Sequence, residues 1–225
     1  AELLAVTGGK ERLRAYVGMR EPQRLQSADF GAWLGRLHQR KSEIYAELVR
    51  AGAIALRPGV ARLIGELRRA GVRLAIATTT TRSSLDSLIR THFACATDEI
   101  FAVVGAGDVV AEKKPAPDVY LWVLEQLRLP AHDCLAIEDA VPGLRAAQAA
   151  GIPTLVTLSD ERANADLQGA LCVVSDLGEV DAPARQFAGL PLRGACVDLA
   201  QLRAWHLAAV DDADCPALAS SGNPH

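Results

Sequence analysis

Residues 134–151 read CLAIEDAVPGLRAAQAAG. The run 134–137 is apolar throughout, the pattern of a strand buried on both faces. It stops at two adjacent carboxylates, Glu138 and Asp139. A proline, Gly143 and an alanine-rich stretch with helical spacing follow. Neighbouring acids repel, so a strand end that carries two needs a reason. They could complement the dipole of the next helix, worth roughly 0.3–1 kcal/mol each, or they could hold a cation.

The same strand-then-helix rhythm extends in both directions. Strands are predicted over residues 72–78, 100–106, 153–158 and 171–174, with helices over 83–91, 117–127 and 143–150 and a weaker one over 160–167. Upstream, Pro58 can open a helix and Gly71 can close it. Near-continuous apolar strands alternating with helices predict an α/β fold with a doubly wound parallel sheet. Ligands of such sheets bind beyond the carboxyl ends of the strands. The first 55 residues instead read as helices only. Leu13, Tyr16 and Val17 recur at helical spacing, as do Phe30, Trp33, Leu34, Leu37, Ile44, Tyr45 and Leu48 in a segment that ends at Gly52. Residues 197–210 predict a last helix, and a small, polar tail from 211 to 225 is expected to fray.

Composition narrows the function classes. Half of the 225 residues are hydrophobic and the net charge is −3, enough for one sizeable core, or for a core domain plus a small accessory piece, with no general attraction to nucleic acid or anionic membranes. No apolar run reaches the roughly 18 residues of a membrane helix, and no segment reads as a secretory leader. The five cysteines form no C-x-x-C pair and are odd in number, which predicts reduced thiols in a cytoplasmic protein.

Three strand ends carry chemistry. Thr78 sits where the first strand stops, in TTTTRSS, where its hydroxyl and the amides of the turn at Thr79 could grip phosphate oxygens. Threonines are also ordinary turn residues. Lys113 and Lys114 follow the second strand, and Pro115 keeps Lys114 extended, able to reach across the sheet edge. Alone, they would read as a solvated charge pair. Glu138 and Asp139 end the third strand. Mg2+ is held by one or two carboxylates plus waters and phosphate oxygens, so a hydroxyl, an ammonium and an acid pair on one rim predict a site for a metal-bound phosphoryl group.

Strand–Thr, then Lys-Pro-x-Pro-Asp, then strand–Glu-Asp-x-x-x-Gly, in that order, resembles the haloacid dehalogenase-like hydrolases. The likeness is to the subgroup containing β-phosphoglucomutase and the CbbY-type phosphatases, and it runs from TGGKERL to about Val174. The resemblance implies a Rossmann-like core over residues 56–180, a helical cap over 1–55, Mg2+ and an aspartyl-phosphate intermediate. Residues 181–225 are left for a final helix and tail. On that likeness Thr78 is the phosphate-binding hydroxyl and Lys114 neutralises phosphoryl group and nucleophile. Asp139 and Glu138 are the metal acids, Asp118 fixes its loop, and Gly143 lets its helix start close to the sheet.

One family motif has no counterpart. The family's first strand ends in Asp-x-Asp-x-Thr, whose first Asp is the nucleophile and whose second is the acid/base. No such motif precedes residue 78. Asp212 and Asp214 share the spacing, but Leu202, Trp205, Leu207 and Val210 before them look helical and no Thr follows. The chain, which begins with Ala, is expected to open inside the cap and to be inactive alone, since covalent catalysis of this kind needs that carboxylate.

The resemblance also assigns the cap to the remote part of the substrate. Thr7, Gly8, Gly9, Lys10 and Arg12 in TGGKER, with Lys41, are expected to contact a small phosphorylated sugar, and Thr79 and Arg82 to border the cleft. Basic groups there suit a second phosphate, as in xylulose 1,5-bisphosphate. His38, His92, His132 and His206 show no metal spacing and are expected at the surface or half-buried. The expected function is a monomeric, cytoplasmic, Mg2+-dependent sugar-phosphate phosphatase. A phosphomutase of the same fold and a non-catalytic binding protein are the alternatives.

Overall fold

The computed structural model describes residue 3, residues 6–158 and residues 166–214. Helices α1 (Gly9–Arg20) and α2 (Phe30–Arg50) come first. The alternating part follows: α3 (Val60–Arg69), β1 (Ala75–Thr78), α4 (Arg82–Phe93), β2 (Val103–Ala106), α5 (Asp118–Leu127), β3 (Ala136–Glu138), α6 (Val141–Ala149) and β4 (Thr154–Thr157). Strands β5 (Cys172–Val174) and β6 (Gln186–Gly189) and helix α7 (Leu199–Asp214) complete it.

Local chemistry sets the boundaries. Gly71 lies just past α3 with φ 72°, and the Val72 amide reaches back to the Leu67 carbonyl at 3.0 Å, closing the helix. Thr81 caps α4 by accepting from the Ser84 amide. The helix predicted over 160–167 falls almost wholly outside the described residues, as does the tail beyond 214. Asp212 and Asp214 lie on the helical backbone of α7, which rules them out as a strand-end motif.

The parallel strands fall into two pieces. β1 pairs with β2, and β3 with β4 and then β5, all in parallel. β6, which the sequence did not announce, adds antiparallel to β5 and is exposed along its length. Its residues, QFAG, lack the apolar run of the other strands. Among the described residues, β1 and β3 pair with neither each other nor anything between them, so two strand edges face one trough. Ile137 of β3 is 39% exposed, unusual for a parallel strand with helices on its faces.

The core sits between α3, α7 and the β4–β5 pair, where Leu63, Leu67, Leu155, Val174, Leu202 and Trp205 pack together. α7 therefore belongs with the core rather than to a separate C-terminal segment. A second cluster packs Val119, Tyr120 and Leu124 of α5 on Ala146 and Ala147 of α6. Each buried valine or leucine among them contributes about 1.5–3 kcal/mol. Val17, Phe30 and Leu34 join α1 to α2. Further along α2, Leu37, Ile44 and Leu48 stay exposed, so only part of the predicted apolar stripe is covered. Within the core, just before α3, Arg57 donates to the Thr157 and Leu158 carbonyls, the Thr157 hydroxyl and the Ser175 carbonyl.

Candidate active site

The carboxyl ends of β1 and β3 converge on Lys114. Its ammonium donates to the Ala77 carbonyl at 2.9 Å and to Glu138 Oε1 at 2.5 Å, joining the two strand ends. The side chains of Lys114 and Glu138 are only 11% and 8% exposed. The Lys114 ammonium also lies 4.8 Å from the Tyr120 ring centroid, and the Tyr120 hydroxyl donates to the same Glu138 oxygen. Burial, then the charge of Glu138, pushes the Tyr120 hydroxyl well above its ordinary pKa, so it stays a proton donor at working pH. The Lys114 carbonyl accepts from the Thr7 hydroxyl, tying the start of the cap to the core. Thr7, Thr78, Lys114, Glu138 and Asp139 all line one cavity of about 1820 Å³ between β1 and β3.

A model of haloacid dehalogenase-like hydrolases matches residues 5–151. The chain belongs to this hydrolase family. It is 49% identical over 205 residues to the plasmid-borne protein CbbY of Cupriavidus necator, covering 91% of this chain and 80% of that one. Among solved structures, CbbY from Rhodobacter sphaeroides in complex with phosphate aligns with a TM-score of 0.70 at 39% identity, covering 78% of this chain and 76% of that one. A mutant of the same protein in complex with xylulose-(1,5)bisphosphate gives 0.71 at 38% identity, covering 80% and 77%.

Within this hydrolase the two neighbouring lysines take different work. Lys113 Nζ holds its own loop through the Gly107 and Val110 carbonyls, both at 2.9 Å, and pairs with Asp108 at 3.0 Å. Lys114 alone turns to the rim. Thr78 Oγ1 accepts from the Thr80 amide at 3.1 Å, which shapes the turn that carries Thr79. Asp118 stands in the first turn of α5, where its charge complements the helix dipole.

The two acids also divide. Asp139 is exposed at the rim, whereas Glu138, expected beside it as a metal acid, is turned inward to Lys114 and Tyr120. Both are hard oxygen donors of the type Mg2+ prefers, and Mg2+ needs few protein ligands when phosphate and water complete its shell. The pair fits that ion with Asp139 foremost; among the described residues no cluster of three or more metal-ligating side chains exists.

Gly143 is why Glu138 can turn inward. A Cβ on Gly143 would lie 1.9 Å from Glu138 Oε2 and 2.2 Å from its Cδ. Gly143→Ala should therefore displace the carboxylate and destabilise the fold by about 1–3 kcal/mol, although alanine is the better helix former by roughly 0.5–1 kcal/mol. Gly65→Ala in α3, where a Cβ meets nothing within 4 Å, is the matched control and should be neutral or stabilising. Urea melts of both variants check the contrast.

Two predicted substrate contacts go elsewhere. Arg82 pairs with Asp86 at 2.8 Å and Asp98 at 2.6 Å, which raise its pKa and hold it on α4, away from the cavity. Lys10 lies 3.4 Å from Asp108 and lines neither the main cavity nor its neighbour. Asp108 is thus shared by cap and core, and the Lys113 hydrogen bond leads in holding its carboxyl below the ordinary range. Gly8, Gly9, Arg12, Lys41 and Thr79 do come together, around a smaller hollow between cap and core. Tyr120, Asp108 and His38 were missed as site residues. Only Tyr120 had a usable signal, lying six positions after Lys114 on the first turn of a helix aimed at the rim.

Proposed function

We propose that this protein is a Mg2+-dependent phosphatase of sugar bisphosphates, with xylulose 1,5-bisphosphate as the fitting substrate class. The observation that carries the reading is the single ammonium of Lys114 bridging the ends of β1 and β3, with Thr78 and Asp139 on the same cavity. The complexes of the CbbY relatives with phosphate and with xylulose-(1,5)bisphosphate support it.

The nucleophile belongs in the trough. A parallel strand between β1 and β3 would pair with both free edges and deliver a terminal Asp beside Lys114. Its carboxylate oxygen attacks phosphorus, the phosphorus–sugar oxygen bond breaks, and the sugar oxygen leaves with the proton of that strand's second Asp. Water then cleaves the acyl phosphate to inorganic phosphate. Lys114 and the Thr78 hydroxyl hold the charge that builds on the phosphoryl oxygens, preorganised in a site shielded from water. Asp139, with Glu138 behind it, would hold Mg2+, which supplies further neutralisation of those oxygens when bound. The enzyme acts as a monomer and in the cytoplasm; the free thiols of Cys95, Cys134, Cys172 and Cys196 support the second part of that reading.

The test compares substrates on a chain that carries such a strand. Phosphate should be released from a ketopentose 1,5-bisphosphate, and removing Mg2+ with a chelator should abolish it. Isomerisation of a hexose 1-phosphate without phosphate release would instead establish the mutase.

A further inference from the structure

The smaller hollow, of about 170 Å³, lies where α1 and α2 meet the turn after β1. That volume has room for an oxyanion. Arg12, His38 and Lys41 line it from the cap, and Thr79 and Thr81 from the core. Gly8, Arg12 and Thr79 border both this hollow and the main cavity, so the two adjoin. The N-terminus of α1 opens here with Gly8 at the cap position and no side-chain cap, and the Glu11 carboxylate folds back against Gly8.

His38 is the unexplained member. A Cβ on Gly9 would lie 2.5 Å from His38 Nε2, so the imidazole edge rests directly on the start of α1. No hydrogen bond of the function proposed above uses this ring.

We propose that His38 is the proton-dependent part of the seat for the substrate's second, non-reacting phosphate, closing on it as imidazolium beside Arg12 and Lys41. The inference rests on the bisphosphate reading for its natural ligand, but its chemistry concerns any dianion. The groups that face His38 are Lys10 and Glu11 of α1, Lys41 of α2 and Asp108 of the loop after β2. Partial burial first, then Lys10 and Lys41, lower its pKa below 6.5; Glu11 and Asp108 oppose this more weakly. The ring is therefore neutral at pH 7 in the free protein. An anion seated between Lys41 and the ring reverses the balance and favours the proton. Binding then takes up a proton, and affinity rises as pH falls through the window between the lowered free value and the raised bound one.

Sulfate is the clean probe, because it stays dianionic across this range while phosphate titrates near pH 6. Proton NMR of the 225-residue chain, with the His38 signal identified by its loss in His38→Gln, should show the ring's pKa rising by about one unit at saturating sulfate, tenfold in proton affinity. Calorimetry in two buffers of different ionisation enthalpy should show proton uptake near pH 6 that His38→Gln removes. Gly9→Ala, which displaces the ring, should weaken that uptake as well. A His38 pKa unmoved by sulfate, or uptake that survives in His38→Gln, overturns the proposal. Because sulfate binding needs no turnover, failure to hydrolyse a bisphosphate would sink the phosphatase reading and leave this one standing.

Discussion

Lys114→Ala, made in a chain that carries the nucleophile strand, should lower turnover by about 10²–10³-fold, the cost of removing one preorganised donor from developing negative charge. It should also destabilise the fold. Glu138 is almost fully buried and would lose its cation; breaking such a pair from one side costs about 3–5 kcal/mol. The two effects separate in a double variant. Lys114→Ala with Glu138→Gln removes the orphaned charge while keeping an acceptor for the Tyr120 hydroxyl, so melting should recover much of the loss. Turnover should not recover, because the phosphoryl group still lacks its ammonium. Stopped assays of phosphate release and denaturant melts read the two quantities independently. Near-normal turnover in the single variant would show that Lys114 is a structural lysine only.

The second large effect concerns the trough between β1 and β3. The 225-residue chain assayed alone should give no Mg2+-dependent phosphate release above background. Fusing an apolar strand that ends in Asp-x-Asp-x-Thr should give turnover, and changing the first Asp of that strand to Asn should remove it. The physical ground is the pair of free edges: exposed parallel strand edges are rare because their amides and carbonyls seek partners. Filling the trough should therefore slow hydrogen exchange at β1 and β3 together, with the Ile76 and Ile137 segments as reporters. Metal-dependent turnover by the chain alone, or a fused strand that protects neither edge, would refute this placement of the nucleophile.

Much of this arrangement was legible in the sequence. Apolar runs gave five strands, because a strand covered on both faces tolerates little else. β6 escaped, since an exposed antiparallel strand of Gln, Phe, Ala and Gly carries no such run. Among the rim residues, Pro115 singled out Lys114, and the strand-end positions singled out Thr78 and Asp139. The charged cap was less legible. Lys10 looked like a substrate contact and Arg82 like a residue of the cleft border, yet carboxylates 98 and 16 residues away claim them. His38 is half-buried, within the expectation for it, but nothing near it in sequence shows that the first turn of α1 lies beneath it.

The sequence by itself determined the α/β order and which residue types reach the carboxyl rim, because periodicity acts over a few neighbouring residues; Pro58, expected to open α3, lies before Gly59, the N-cap of that helix. Only the tertiary structure decided which partner each charge takes. Hydrogen bonds and ion pairs act over about 3 Å, and whether Lys114 meets Glu138, Lys10 meets Asp108, or Glu138 finds room above Gly143 depends on how distant segments pack.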